Sequence, residues 1–179
     1  MTPQLSVFLA CSLDGYIAAP DGSLDWLDDA VGEGEDYGYD AFMATVDALA
    51  MGRGTYDHIA HIDPLPFGDR PLYVFTHRDP GPRDGVTFWA RTPQEAVAQW
   101  SAEGHRRVYV DGGRLISAFL DAGLVDDLLV TLVPRLLGDG RPLFHPIGRG
   151  APLRLTGVEQ FPSGMVNLSY ERMRPDVEA

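Results

Sequence analysis

Two stretches of this 179-residue chain put glycines where a strand-forming run hands over to a helix-forming one: Met51-Gly52-Arg53-Gly54-Thr55-Tyr56 and Val110-Asp111-Gly112-Gly113-Arg114. Glycine lets the backbone lie close to a ligand, and the first N–H groups of a helix have no partner inside it. Such a junction suits a phosphate or pyrophosphate. Arg53 and Arg114 adjoin the glycines, and Arg78 ends a third junction, Phe75-Thr76-His77-Arg78; each adds a guanidinium for charge-assisted contacts. A glycine at a strand–helix turn is also plain turn chemistry. Three junctions, each with an arginine in an acidic protein, point beyond that to an anionic ligand. The dinucleotide fingerprint G-x-G-x-x-G is met by neither candidate, since Gly52-x-Gly54 continues to Asp57 and Gly32-x-Gly34 to Tyr37.

Other chemistries are less well served. His58 and His61 are spaced to share an ion on a helix, with Asp63 as a third ligand, but no second cluster has matching spacing and no metal is expected. No G-x-S-x-G is present, and Cys11 sits in an apolar run, which leaves no serine or cysteine nucleophile. The chain contains no lysine, so a Schiff base and a Walker-type phosphate loop are both excluded. Asp36 and Asp40 open a helical stretch, where the helix dipole alone favours acids; either is also a candidate proton donor if it faces a cleft.

The bulk properties set the frame. With 45% hydrophobic residues the chain can bury a full core, and residues 1–179 are expected to form one domain with its core at about 4–172. A net charge of −12 argues against nucleic-acid or anionic-membrane partners. One cysteine, no basic leader before the first apolar run and no apolar stretch of membrane-spanning length predict a cytoplasmic protein.

The elements that must hold the junctions follow from periodicity and punctuation. Strands are predicted at 5–10, 48–51, 72–75, 86–89, 107–110, 127–133, 154–160 and 166–172, the last two forming a hairpin. Helices are predicted at 36–46, from 53 to 62, from Pro93 to about Glu103, and after Gly113, where Leu115, Ile116, Phe119 and Leu120 recur at helical spacing. Thr92-Pro93-Gln94-Glu95 carries a Thr cap, a first-turn proline and a capping-box glutamate. Alternation of strands and helices followed by strands alone predicts an α/β class fold, a sandwich whose mostly parallel sheet ends in an antiparallel C-terminal hairpin.

Taken together these segments resemble the dihydrofolate reductase superfamily, and within it stand-alone proteins related to the C-terminal reductase domain of the bifunctional riboflavin-biosynthesis deaminase/reductase. The resemblance rests on Ser12-Leu13-Asp14-Gly15-Tyr16-Ile17-Ala18, on 47–56, on 73–78, on Tyr109-Val110-Asp111-Gly112-Gly113, and on Thr131 followed by Gly138-Asp139-Gly140-Arg141-Pro142-Leu143-Phe144. It implies a three-layer α/β/α sandwich with a mixed, mostly parallel sheet ending in an antiparallel C-terminal hairpin, and an NADPH-dependent oxidoreductase. Hydride would go to a C=N or C=O of a small, pterin- or pyrimidine-like heterocycle, as in reduction of 5-amino-6-(5-phosphoribosylamino)uracil or a folate. A non-catalytic nucleotide-binding protein that retains the fold is the alternative.

The resemblance also implies roles for particular residues. Gly52, Arg53, Gly54 and Thr55 would hold cofactor phosphates, and Thr76, His77 and Arg78 the adenosine 2′-phosphate. Gly112, Gly113, Arg114, Leu115 and Ile116 would line the pyrophosphate and nicotinamide ribose, with Ala10 and Ile17 flanking the nicotinamide. Thr131 is carried over as a substrate contact, and Trp26 and Phe42 are either substrate-stacking walls or core. Asp36, Asp40 and Tyr16 are the candidates for proton delivery; Tyr16 stands where the riboflavin-pathway reductases tend to have lysine. The likeness further implies a homodimer and a cis peptide between Gly112 and Gly113.

Overall fold

A computed structural model describes residues 1–78, 80–148 and 150–173. Its frame is one eight-stranded sheet in the order β5-β4-β3-β6-β1-β7-β10-β9. The strands are β1 (Gln4–Ser12), β3 (Ala48–Gly52), β4 (Leu72–Phe75), β5 (Val86–Trp89), β6 (Arg107–Asp111), β7 (Asp127–Val133), β9 (Leu153–Gln160) and β10 (Val166–Arg172). The first six run parallel to their neighbours, and β10 then pairs antiparallel with both β7 and β9. The predicted mixed sheet with its terminal hairpin is what the chain forms.

Four helices supply the outer layers. On one face lie α2 (Tyr39–Met43) and α3 (Arg53–Ile59), packing Met43 and Tyr56 against Phe8, Leu49, Met51 and Tyr109. On the other lie α4 (Pro93–Glu103) and α5 (Gly113–Asp121), packing Trp100, Ile116 and Phe119 against Leu5, Val7, Val108 and Val110. Residues of opposite parity on each strand feed the two cores, as the pleat requires. The capping box at Thr92 forms in full: the Thr92 hydroxyl accepts from the Glu95 N–H, and the Glu95 carboxylate accepts from the Thr92 N–H.

The structure corrects the sequence reading in several places. The helix expected over 36–46 is only the five residues of α2. Tyr37 and Gly38 take positive φ values of 54° and 84°, a backbone that cannot belong to a right-handed helix. The helix expected to reach residue 62 stops at Ile59. Three short elements had no periodic signal: β2 (Tyr16–Ala18), α1 (Asp25–Asp28) and β8 (Arg141–Pro142), the first and last forming a small antiparallel pair. The Gly112–Gly113 peptide is trans, the one cis bond among the described residues being Asp63–Pro64. No described helix is long and apolar enough to cross a membrane.

Candidate active site at the carboxyl edge of the sheet

The parallel ladders bring the sequence-distant junctions side by side. Gly52 pairs with Phe75 and Met51 with Asp111, so the turns after β4, β3 and β6 follow one another along the carboxyl edge, and the end of β1 comes next. The helix after β3 lies on one face and the helix after β6 on the other. From β3 the chain moves outward to β4, whereas from β6 it moves past β1 to β7. A crevice opens where neighbouring strands diverge in this way, and ligands of open α/β sheets bind there.

The two glycine junctions do different jobs. A side chain at Gly52 would meet nothing within 4 Å, and one at Gly54 would meet only the Arg141 guanidinium, at 3.9 Å. A side chain at Gly112 would stand 2.5 Å from the Thr55 hydroxyl. One at Gly113 would stand 2.5 Å from the Pro142 carbonyl and 2.7 Å from that of Leu143. The second junction is therefore glycine because protein presses on it. The first is glycine beside open space, with backbone exposed to a ligand.

What presses on Gly113 is a strap, residues 137–148, laid across the start of α5. Asp14 accepts from the N–H groups of Leu137 and Gly138, Leu143 N–H donates to Gly15, and the Ser117 hydroxyl donates to Gly113 O while accepting from His145 N–H. The strap carries Arg141, whose guanidinium donates to the Asp21 carbonyl at 3.3 Å and reaches toward Gly54. Arg141 lies within the Gly138–Phe144 stretch, but sequence does not show that the strap folds back over the glycines.

The proposed cofactor residues fall into three groups. Gly52, Arg53, Gly54, Thr55, Thr76, His77, Arg78 and Arg114 share the carboxyl edge. Arg53 is tied to Asp57 at 2.6 Å, and Thr76 closes a turn by accepting from Arg78 N–H. Leu115 and Ile116 are buried in the core, so only their backbone is available to a ligand. Ala10 packs on the α2 side with Trp26 and Val133, while Ile17 packs on the α5 side. The donors present, guanidinium groups and helix-opening N–H groups beside an open glycine pair, fit a nicotinamide dinucleotide phosphate. His58, His61 and Asp63 form no metal-binding group, and none is found among the described residues.

The substrate and proton-delivery candidates are rearranged. Trp26 is core, with Tyr37, Val133 and Met165. Thr131 is buried, its hydroxyl donating to Asn167, which in turn donates to the Tyr37 carbonyl. Phe42 stacks against Phe8 and Tyr109 under the Arg107 guanidinium and lines a groove of about 450 Å³ with Gln4, Asp127 and Ser169, where β1 and β7 begin, away from the glycines. Asp36 accepts from the N–H groups of Gly38 and Asp40, which hold its carboxyl below the usual range; it caps α2, and its role as proton donor gives way. Asp40 is exposed, and Tyr16 is half-buried on β2 opposite Pro142.

The acid that the crevice does contain is Asp111. It ends β6 on the same face as Tyr109, partly buried, and feels Tyr39 of α2 nearby. Burial pushes its carboxyl up to about 6, against the one bond it accepts from the Gly112 N–H at 2.7 Å. A carboxyl that keeps its proton up to about pH 6 at a ligand crevice is a candidate acid. Its signal was in the sequence, a carboxylate between a strand and two glycines, but which face it takes depends on the strand's register. Cys11 is the counter-example: burial, then Asp14, pushes its thiol up to about 11, which leaves it inert.

Comparisons with known proteins agree with this fold. Residues 3–167 match the family model of the RibD C-terminal domain. YwjB of Bacillus subtilis strain 168, a protein of uncharacterized function, is 39% identical over 175 residues, covering 96% of this chain and 99% of YwjB. The crystal structure of a Shewanella sp. PV-4 protein described as a riboflavin biosynthesis protein superposes with a TM-score of 0.88 at 33% identity, over 97% of this chain and all of that one. Dihydrofolate reductase from Enterococcus faecalis, in complex with NADP(H) and RAB-propyl, has the same fold at 19% identity, with a TM-score of 0.65 over 94% of this chain and 96% of that one.

Proposed function

This chain belongs to the RibD C-terminal domain family, and on that premise we propose that it is an NADPH-dependent reductase of a C=N or C=O in a small heterocycle. The observation that carries the reading is the crevice between β3 and β6, with open glycines and cations on one side and Asp111 on the other. The solved relatives named for riboflavin biosynthesis and for dihydrofolate reduction support the same chemistry.

In this reading Gly52, Gly54 and the N–H groups that follow them take the cofactor phosphates, with Arg141 reaching in from the strap. Arg78 and His77, exposed at the end of β4, take the adenosine phosphate; a guanidinium there selects the phosphorylated dinucleotide. When bound, NADPH supplies the hydride. Asp111 holds a proton at its carboxyl and gives it to the substrate atom that gains electron density, while Tyr39 and Phe8 wall off water.

The same reading includes a homodimer. On β9 and β10, Leu153, Leu155, Val158, Leu168 and Tyr170 share one face, because a bulge between Ser169 and Tyr170 keeps Leu155 and Val158 together. Leu155 and Val158 are 51% and 62% exposed, which makes that face apolar and uncovered.

The test is NADPH oxidation with a panel of pterins, imines and ribosylaminopyrimidines, beside Asp111→Asn. The variant should retain NADPH affinity and lose turnover by about 10²-fold or more. The wild-type rate should fall as pH rises through about 6, where Asp111 loses its proton. An unaltered rate in Asp111→Asn refutes the assignment of Asp111. Tight NADPH binding with no turnover on any candidate indicates a binding protein.

A further inference from the structure

We propose that the substrate of this reductase carries no phosphate: the wall of the crevice facing the substrate is built mainly from a segment with no cationic side chain. The inference rests on the reductase reading and names the substrate class of that same site.

Residues 1–52 contain ten carboxylates and not one lysine, arginine or histidine. That segment supplies most of the α2 side of the crevice, β1 with Phe8 and Ala10, the 24–38 loop with Trp26 and Tyr37, and α2 with Tyr39; β6 adds Tyr109 and Asp111. Burial first, then the nearby Asp111 and Asp40 carboxylates, push the Tyr39 phenol above its usual range, against a smaller opposing pull from Arg70. The opposite, cofactor side holds Arg78, Arg114 and Arg141 at the turns and the strap, and Arg53, which opens α3, is tied to Asp57. The crevice is thus polar in charge along its length, with cations where dinucleotide phosphates would lie and carboxylates where a substrate would lie.

The cations that approach the α2 side from other elements are already committed. Arg70 donates to the carbonyls of Val46, Phe67 and Met43. Arg107 donates to Ser6, Thr45 and Asp127. Arg135 donates to the Trp26 carbonyl and faces Asp29 at 3.8 Å. The start of α2, the other place where an anion could settle, is taken by the Asp36 carboxylate on the N–H groups of Gly38 and Asp40. A substrate phosphate would meet Asp36 and Asp40 with no unengaged guanidinium or ammonium among the described residues of that wall to answer it, and like charges so placed repel. An uncharged ring meets no such penalty, and its N–H groups can be accepted by the Asp111 carboxyl.

The test uses one matched pair, 5-amino-6-(ribosylamino)uracil and its 5′-phosphate, titrated calorimetrically into the NADPH-saturated protein. The unphosphorylated member should bind about ten-fold more tightly, and the ratio should narrow as salt rises from about 0.05 to 0.5 M. Asp40→Arg, at an exposed position, should narrow it by about three-fold by restoring a cation to that wall. A phosphate ester that binds as tightly as its parent overturns the proposal, and so does failure of both members to bind. Failure of NADPH itself to bind is read in the preceding titration and overturns the reductase reading instead.

Discussion

Replacing Asp111 with asparagine should stabilise the protein at alkaline pH while disabling it. The carboxyl is raised from 3.8 in the unfolded chain to about 6 in the folded one, chiefly by burial. Folding therefore favours the protonated form. Below 3.8 both states carry the proton and the site adds no penalty. As pH climbs through about 6, the folded protein must ionise a partly buried carboxyl and loses the stability that the raised affinity for protons had supplied. The interval from 3.8 to about 6, at about 1.36 kcal/mol per unit of pH, sets a ceiling of about 3 kcal/mol. Because Asp111 retains some solvent contact, about 1–2 kcal/mol is the expected yield. Asparagine is neutral throughout and still offers an oxygen to the Gly112 N–H. Asp111→Asn should then melt about 2–8 °C above the wild type at pH 8 and within about a degree of it at pH 4. Differential scanning calorimetry at both pH values decides the matter. A difference that does not change between pH 4 and 8, or a variant less stable than wild type at pH 8, would refute the claim that this carboxyl is held against its ionisation.

Three further outcomes follow from packing and charge. Gly113→Ala drives a methyl into the Pro142 and Leu143 carbonyls; it should cost about 1–3 kcal/mol in urea denaturation and weaken NADPH binding by displacing the strap. Thr92→Ala removes the capping box on α4 and should cost about 1 kcal/mol, a loss of about 2–4 °C in Tm, with NADPH affinity unchanged in a direct titration. Arg141→Ala should weaken NADPH by about ten-fold with little change in Tm, and the deficit should shrink at high salt; equal affinity at low salt would remove Arg141 from the cofactor side.

Most of the architecture was legible because it is written in local patterns. The strands at 48–52, 72–75, 86–89 and 107–111 announce themselves by apolar runs bounded by turns, and α4 by its cap. The sequence also singled out both glycine junctions, but it misread the second. Gly112 and Gly113 are small because Thr55 and the strap press on them, contacts made across the chain and invisible to periodicity. The α2 helix shrank for a comparable reason: left-handed backbone at Tyr37 and Gly38 is needed to bring the Tyr37 carbonyl to Asn167, a partner on β10. Asp111 escaped notice as an acid because its environment, rather than its neighbours in sequence, raises its affinity for the proton. Asp36, one of the candidates for proton delivery, instead accepts from the N–H groups of Gly38 and Asp40 at the start of α2.

The place of β6 in the sheet has a consequence for how the molecule is made. β1 and β3 are both synthesised early, yet they never touch, because β6 fills the slot between them, with Gln4 beside Arg107 and Ala48 beside Val108. Until that late strand emerges from the ribosome, two apolar edges stand open at the centre of the sheet. Contacts of such high sequence separation slow folding and leave unpaired strands exposed to other chains. Chains truncated before residue 107 should therefore aggregate rather than fold in part, and the crevice, one lip of which is that inserted strand, should appear only once it has joined the sheet.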